Sequence, residues 1–301
     1  MAERGPVARF VYRALAYPLQ GAVIYAAYFI ARMMSIETAS VAGSVLFRTF
    51  GPHMKVDAIA RRNLRRAFPD IDDAELDRIV RGMWDNLGRG AGECAHLDRL
   101  TIDGPDARIE VVNGEILERL REDGQPGILF AAHLTNWEVG CIVPTQFDMP
   151  VGQIYRSANN PIINGLFRRM RSCIAGPRIP KGRDGARQAL LWMRDGGHLA
   201  FMIDQKLNEG MPIPFFGRDA MTPTAPARLA LRFRCPVVPS QVERLPGVRF
   251  RITVFPPLDL PDTGDSVKDT QLLLTEMTGI VEGWIRERPE QWFWVHRRWP
   301  D

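Results

Sequence analysis

The sequence predicts an α/β fold, a mainly parallel central sheet flanked by helices and preceded by an N-terminal membrane-associated helical segment. Three observations carry that expectation. From Gly127 onward, short apolar runs alternate with amphipathic stretches of helical length, as in strand-helix repeats that build a parallel sheet. The leading run, GILFAA, is apolar on successive residues, as strands covered on both faces are. Near the N-terminus, Ala14 to Ala31 form eighteen residues without a charge, a length that just reaches the range for crossing a bilayer.

With 301 residues, 46% of them hydrophobic, the chain can bury a core as one large domain or two small ones, which excludes a disordered protein. We divide it into a segment over 1–50 that anchors in a membrane or lies on it, and a globular domain over 51–301. Pro18, Gln20 and Gly21 interrupt the apolar leader, Arg4, Arg9 and Arg13 precede it and Arg32 follows it. That basic bias would hold the leader's start inside, and a buried core helix is the alternative. Residues 38–47, TASVAGSVLF, read as a second shallow segment at the interface.

The stretch VDAIARRNLRRAF then places apolar residues at helical spacing with arginines between them, and Pro69 and Asp70 stop it. Asp72 is a natural cap for the next helix. Beyond it come the strand GILFAAH, a helix to about Phe147, the strand VGQIYR, and helices over 161–173 and 184–194. The strand HLAFMID, a helix over 225–233, the strands PVVPSQVER and RFRITVF and a last helix over 267–287 complete the domain.

The net charge of +4 is mild, but it is concentrated: residues 151–187 hold eight Lys or Arg against the single acid Asp184, and Arg61, Arg62, Arg65 and Arg66 crowd one helix. An anionic partner follows. The basic stretch alone would also permit an anionic-polymer binding protein. Its only aromatics, Tyr155 and Phe167, are too few for base stacking, so no nucleic acid partner is expected. Four cysteines lie far apart without a C-x-x-C pair, which reads as buried reduced thiols rather than disulfides or a zinc site.

The chain has no GxSxG, GxGxxG, GxxxxGK[ST] or HExxH, so no nucleotide cofactor or catalytic metal is expected. What remains is a histidine at a strand end with an acid five positions on, His133 and Glu138. Across a strand-to-helix turn the carboxylate can hold one imidazole tautomer while the other nitrogen acts as a general base. His296 and Asp301 repeat the spacing, but in a tail rich in Trp and Arg. That tail, with Trp292, Phe293, Trp294 and Trp299, reads either as core packing or as an interfacial belt.

Seven pieces, in order, then extend the pattern: NLRRAFP at 63–69, HLTNWE at 133–138, YRSANNP at 155–161, RMRS at 169–172, IDQ at 203–205, PFFG at 214–217 followed by TPTAPARLA, and PEQWFWVHRRW at 289–299. Together they resemble the late acyltransferases of lipid A biosynthesis. The resemblance implies a glycerolipid-acyltransferase-like fold and transfer of an acyl group from an acyl carrier protein thioester to a hydroxyacyl chain of a Kdo-bearing lipid A precursor. It implies His133 as base oriented by Glu138, and Arg171, Asp204 and Arg156 as substrate-binding positions. It also implies inner-membrane lipids as partners and a catalytic domain on the cytoplasmic face of the bacterial inner membrane. A related acyltransferase acting on another glycolipid, such as a phosphoinositide mannoside, would share the same pair. Because a thioester is already activated, such a reaction needs a base and an oxyanion stabiliser rather than a covalent nucleophile.

Overall fold

The alternating runs beyond Gly127 fold into the centre of a seven-stranded sheet, in a computed structural model that describes residues 12–299. Arg4, Arg9 and Asp301 lie outside the described residues. The strands in chain order are β1 (Ile109–Val112), β2 (Ile128–Ala131), β3 (Val151–Tyr155), β4 (Arg178–Pro180), β5 (His198–Met202), a separate hairpin β6 (Met211–Phe215) and β7 (Arg218–Thr222), then β8 (Val237–Leu245) and β9 (Arg249–Val254). The sheet order is β1-β9-β8-β2-β5-β3-β4. Every neighbouring pair is parallel except β8 and β9. The expected mainly parallel sheet flanked by helices is therefore the observed one.

Strand β2 sits in the middle because its residues are apolar on both faces. Ile128 and Phe130 point into one buried cluster and Leu129 into the other, the alternation a strand imposes. On the first face Phe130 stacks on Trp284 of the C-terminal helix Ser266–Glu287. On the second, Leu129 joins Ile142 and Val143 of the helix Val139–Gln146 and Leu117 of the helix Glu115–Glu122. From β2 the chain winds outward through β3 and β4, returns to β5 beside β2, and crosses to β8 on β2's other side. The winding thus reverses between β2 and β5, and ligands of open α/β sheets bind outside the carboxyl ends of strands at such a switch point.

At the N-terminus, α1 (Tyr17–Met33) and α2 (Ile36–Phe50) are joined at Ser35, whose Oγ accepts from the Thr38 N–H at 3.1 Å and caps α2. The shallow segment 38–47 is half packed and half open. Its small residues lie on the helix Asp73–Glu93, so closely that a Cβ at Gly43 would stand 2.1 Å from the Gly88 carbonyl oxygen. Its larger residues Val41, Val45 and Leu46 are 50–53% exposed. Leader helix α1 leans on the helix Pro161–Met170, where Asn160 donates to the Tyr17 carbonyl at 2.9 Å. Leu19, Val23, Ile30 and Met33 on α1 stay exposed. Over Ala14–Met33 the helix is long and apolar enough to cross a membrane.

Candidate active site

His133 and Asp204 meet because of the register of β2 and β5. Ala131 pairs with Met202 at the ends of the two strands, and two residues beyond each end His133 and Asp204 come to stand side by side. The His133 Nδ1 lies 2.7 Å from Asp204 Oδ1, and the His133 backbone N–H donates to Oδ2 at 2.8 Å. A carboxylate accepts and does not donate, so Nδ1 carries the proton, and in the neutral ring Nε2 carries the lone pair. Trp292 supplies a third donor to Asp204, its Nε1 at 2.7 Å from Oδ2. Burial by itself would push the Asp204 carboxyl up, but the electrostatic pull of the adjacent His133 ring, its two hydrogen bonds and the indole outweigh it and hold the group at about 2.

Glu138 stands elsewhere. It precedes the helix Val139–Gln146 and forms a doubly bonded pair with Arg171, whose Nε and Nη2 donate to its two oxygens at 2.7 and 2.5 Å. Among the described residues, the carboxylate bonded to the His133 ring is that of Asp204. The sequence leads one to expect Glu138 at the ring; the sheet register instead puts Asp204 there, and Glu138 bonds the arginine. Burial works against the Arg171 charge, yet the Glu138 carboxylate more than offsets it and raises the pKa. Cys94 and Cys141 lie near the same pair. Burial pushes the Cys141 thiol up to about 12, so it is no thiolate nucleophile. Arg156 is exposed just past the end of β3, on the carboxyl edge of the sheet that carries His133.

Between His133 and Glu138 the backbone is forced. Thr135 has φ +42°, an unfavourable conformation for a β-branched residue, which persists only where surroundings hold it. Its N–H donates to the Gln291 carbonyl at 2.7 Å and its Oγ1 to Asn86 Oδ1 at 3.1 Å. Next to it, Asn136 donates to Glu93 Oε2 at 3.0 Å, and Arg244 clamps both oxygens of that glutamate. Ser40 of α2 donates to Glu93 as well. The leader's second helix is thereby wired to the turn that presents His133.

The C-terminal tail packs against His133, a long-range contact without a local signal in the sequence. The Phe293 N–H donates to the His133 carbonyl at 3.1 Å, and the His133, Trp137 and Phe293 rings pack at 5.1–6.1 Å. Trp292, Trp294 and Trp299 are buried, so the tail is core packing rather than an interfacial belt. His296, in the same tail, accepts the Lys206 N–H at its Nε2, 2.8 Å away, two residues from Asp204. Burial above all, with the nearby cations Arg298 and Lys181, pushes its pKa down to about 4.

A His-Asp pair whose second imidazole nitrogen faces the Gln205 amide at 3.2 Å, at the switch point of a parallel sheet, is an arrangement suited to general-base chemistry on an α/β scaffold. The family model described as bacterial lipid A biosynthesis acyltransferase matches residues 11–301, and the chain belongs to that family. It is similar to the lipid A biosynthesis lauroyltransferase of Escherichia coli K12, 25% identical over 80% of this chain and 78% of that protein. It is also similar to the lipid A biosynthesis myristoyltransferase of that organism, 24% identical over 77% and 72%. A lipid A biosynthesis acyltransferase of Haemophilus influenzae is 26% identical over 82% and 79%.

Proposed function

We propose that this acyltransferase moves a fatty acyl group from an acyl carrier protein thioester to a hydroxyl on an acyl chain of a Kdo-bearing lipid A precursor. His133 Nε2 takes the hydroxyl proton as the oxygen attacks the thioester carbonyl, and later returns it to the departing sulfur. Asp204 holds the ring and its tautomer and balances the imidazolium that forms. Arg171, fixed by Glu138, is the cation for the substrate. The observation that carries the reading is the 2.7 Å contact between His133 Nδ1 and the buried Asp204 carboxylate, because it leaves Nε2 as the acceptor.

Charge supports an anionic acceptor at the carboxyl edge of the sheet. Arg156 follows β3, Lys181 follows β4 and Lys206 follows β5. By contrast, Arg61 is paired with Asp57 and Asp77, and Arg65 with Asp73. The acceptor is a membrane lipid and the carrier is soluble, so the site has to open at the cytoplasmic face of the inner membrane. The exposed apolar sides of α1 and α2 support an interfacial attachment there. Mass spectrometry of lipid A from cells with and without the gene tests the proposal. Loss of one acyl chain is the expected result, and an unchanged lipid A would remove the reading.

A further inference from the structure

Gln205 follows Asp204, and its side-chain Nε2 lies 3.2 Å from His133 Nε2. That nitrogen is the one with the lone pair, so the amide N–H is the donor and imidazole the acceptor. Resting on the reading of His133 as base, we propose that Gln205 is a catalytic residue that donates to the oxyanion of the transfer.

Two features fix the segment that carries the amide. On one side its backbone is tied to Asp204, which takes three hydrogen bonds. On the other, the Lys206 N–H is bonded to His296 Nε2 at 2.8 Å, so the residues flanking Gln205 are held from both directions. With the flanking residues fixed, only the short amide side chain has to turn when charge develops, which keeps the reorganisation small. In the free enzyme the amide occupies the seat of the attacking hydroxyl. When a hydroxyl arrives, it takes the imidazole lone pair and displaces the amide, which then faces the carbonyl oxygen of the thioester beside it.

The step balances within these groups. The hydroxyl oxygen bonds to the carbonyl carbon, its proton passes to His133 Nε2, and the carbonyl π pair moves onto oxygen, where the Gln205 N–H receives it. Collapse re-forms the carbonyl, breaks the carbon-sulfur bond and sends the proton from Nε2 to the leaving sulfur. Arg171 is held by Glu138 through two of its nitrogens, which leaves the amide as the donor already at the reacting nitrogen.

The test is transfer from dodecanoyl and tetradecanoyl carrier-protein thioesters to a lipid A precursor by Gln205→Met and Gln205→Glu, beside His133→Ala. Met keeps the bulk and removes the donor, so kcat should fall about 10²- to 10³-fold while KM moves little. Gln205→Glu places a carboxylate at His133 Nε2, which should hold the imidazolium, so the residual rate should rise to its plateau at higher pH than in the wild type. An inactive His133→Ala beside a Gln205→Met of near-normal kcat, or one altered in KM alone, overturns the role of Gln205 and spares that of His133. A normal His133→Ala overturns both.

Discussion

Glu93 and Arg244 form a doubly hydrogen-bonded ion pair beneath the His133 turn, with Nη1–Oε1 at 2.5 Å and Nη2–Oε2 at 2.9 Å and the glutamate side chain fully buried. Removing one partner of such a pair leaves an uncompensated buried charge and costs about 3–5 kcal/mol. We expect Glu93→Ala to lower the melting temperature by several degrees. Replacing both, as Glu93→Met with Arg244→Leu, should recover stability but not activity, because Asn136 and Asn86 then lose the partners that hold Thr135 in its strained conformation. Thermal unfolding together with a transfer assay on the three proteins checks this. A double variant with full activity would show that the pair only stabilises the fold.

The two carboxylates of the site should separate on mutation. Asp204→Asn offers an amide to three N–H donors that now meet a carboxylate, so at least one meets another donor and the His133 tautomer is lost. Transfer should drop about 10²- to 10⁴-fold. Glu138→Gln leaves the ring's partner in place and loosens Arg171, so its loss should be smaller and fall more on KM. Steady-state kinetics of the two variants decide, and a Glu138→Gln enzyme with the greater loss in kcat would return the orienting role to Glu138.

His296 should make the fold acid-sensitive. In the unfolded chain it takes a proton near its ordinary value of 6.5, in the fold only near 4. Between those values the unfolded state binds more protons, so stability falls as pH is lowered through that window. Asp204 acts lower: its depressed pKa stabilises the fold above about 4, and that contribution disappears as pH falls toward 2. Urea unfolding at pH 7 and pH 5 should therefore show a larger loss for the wild type than for His296→Gln, whose side-chain oxygen can still accept the Lys206 N–H. Equal losses would mean that His296 titrates normally.

The membrane face is testable separately from the chemistry. Val41→Glu with Val45→Glu puts two charges, one helical turn apart, on the exposed side of α2 while leaving its packed side intact. Sedimentation with anionic vesicles should fall sharply, and activity on detergent-dispersed acceptor should persist. Unchanged vesicle binding would move the attachment surface off this helix.

Much of the scaffold was legible because its signals are local. The strand ending at His133, the helix over 225–233 and the long final helix follow from apolar period and length alone. The hairpin β6 and β7 was not: Pro212 and Pro214 in β6 argue against a strand, and they are tolerated in a two-stranded ribbon outside the main sheet. Strand β4, three residues ending in Pro180, and the short β1 carry too little pattern to read. In the site, His133 announced itself at the end of an apolar run. Its partner did not, because 71 residues separate it from Asp204 and only the order and register of β2 and β5 join them. Trp292, 88 residues further on, and Gln205 carry no local signal of their roles.

The most direct measurement is the single-turnover rate of purified His133→Ala on an acyl carrier protein thioester and a lipid A precursor, with circular dichroism and melting temperature confirming the fold. As the imidazole is the base for the attacking hydroxyl, the rate should fall about 10²- to 10⁴-fold with the fold intact. A folded His133→Ala protein that transfers acyl groups at a near-normal rate would contradict the account.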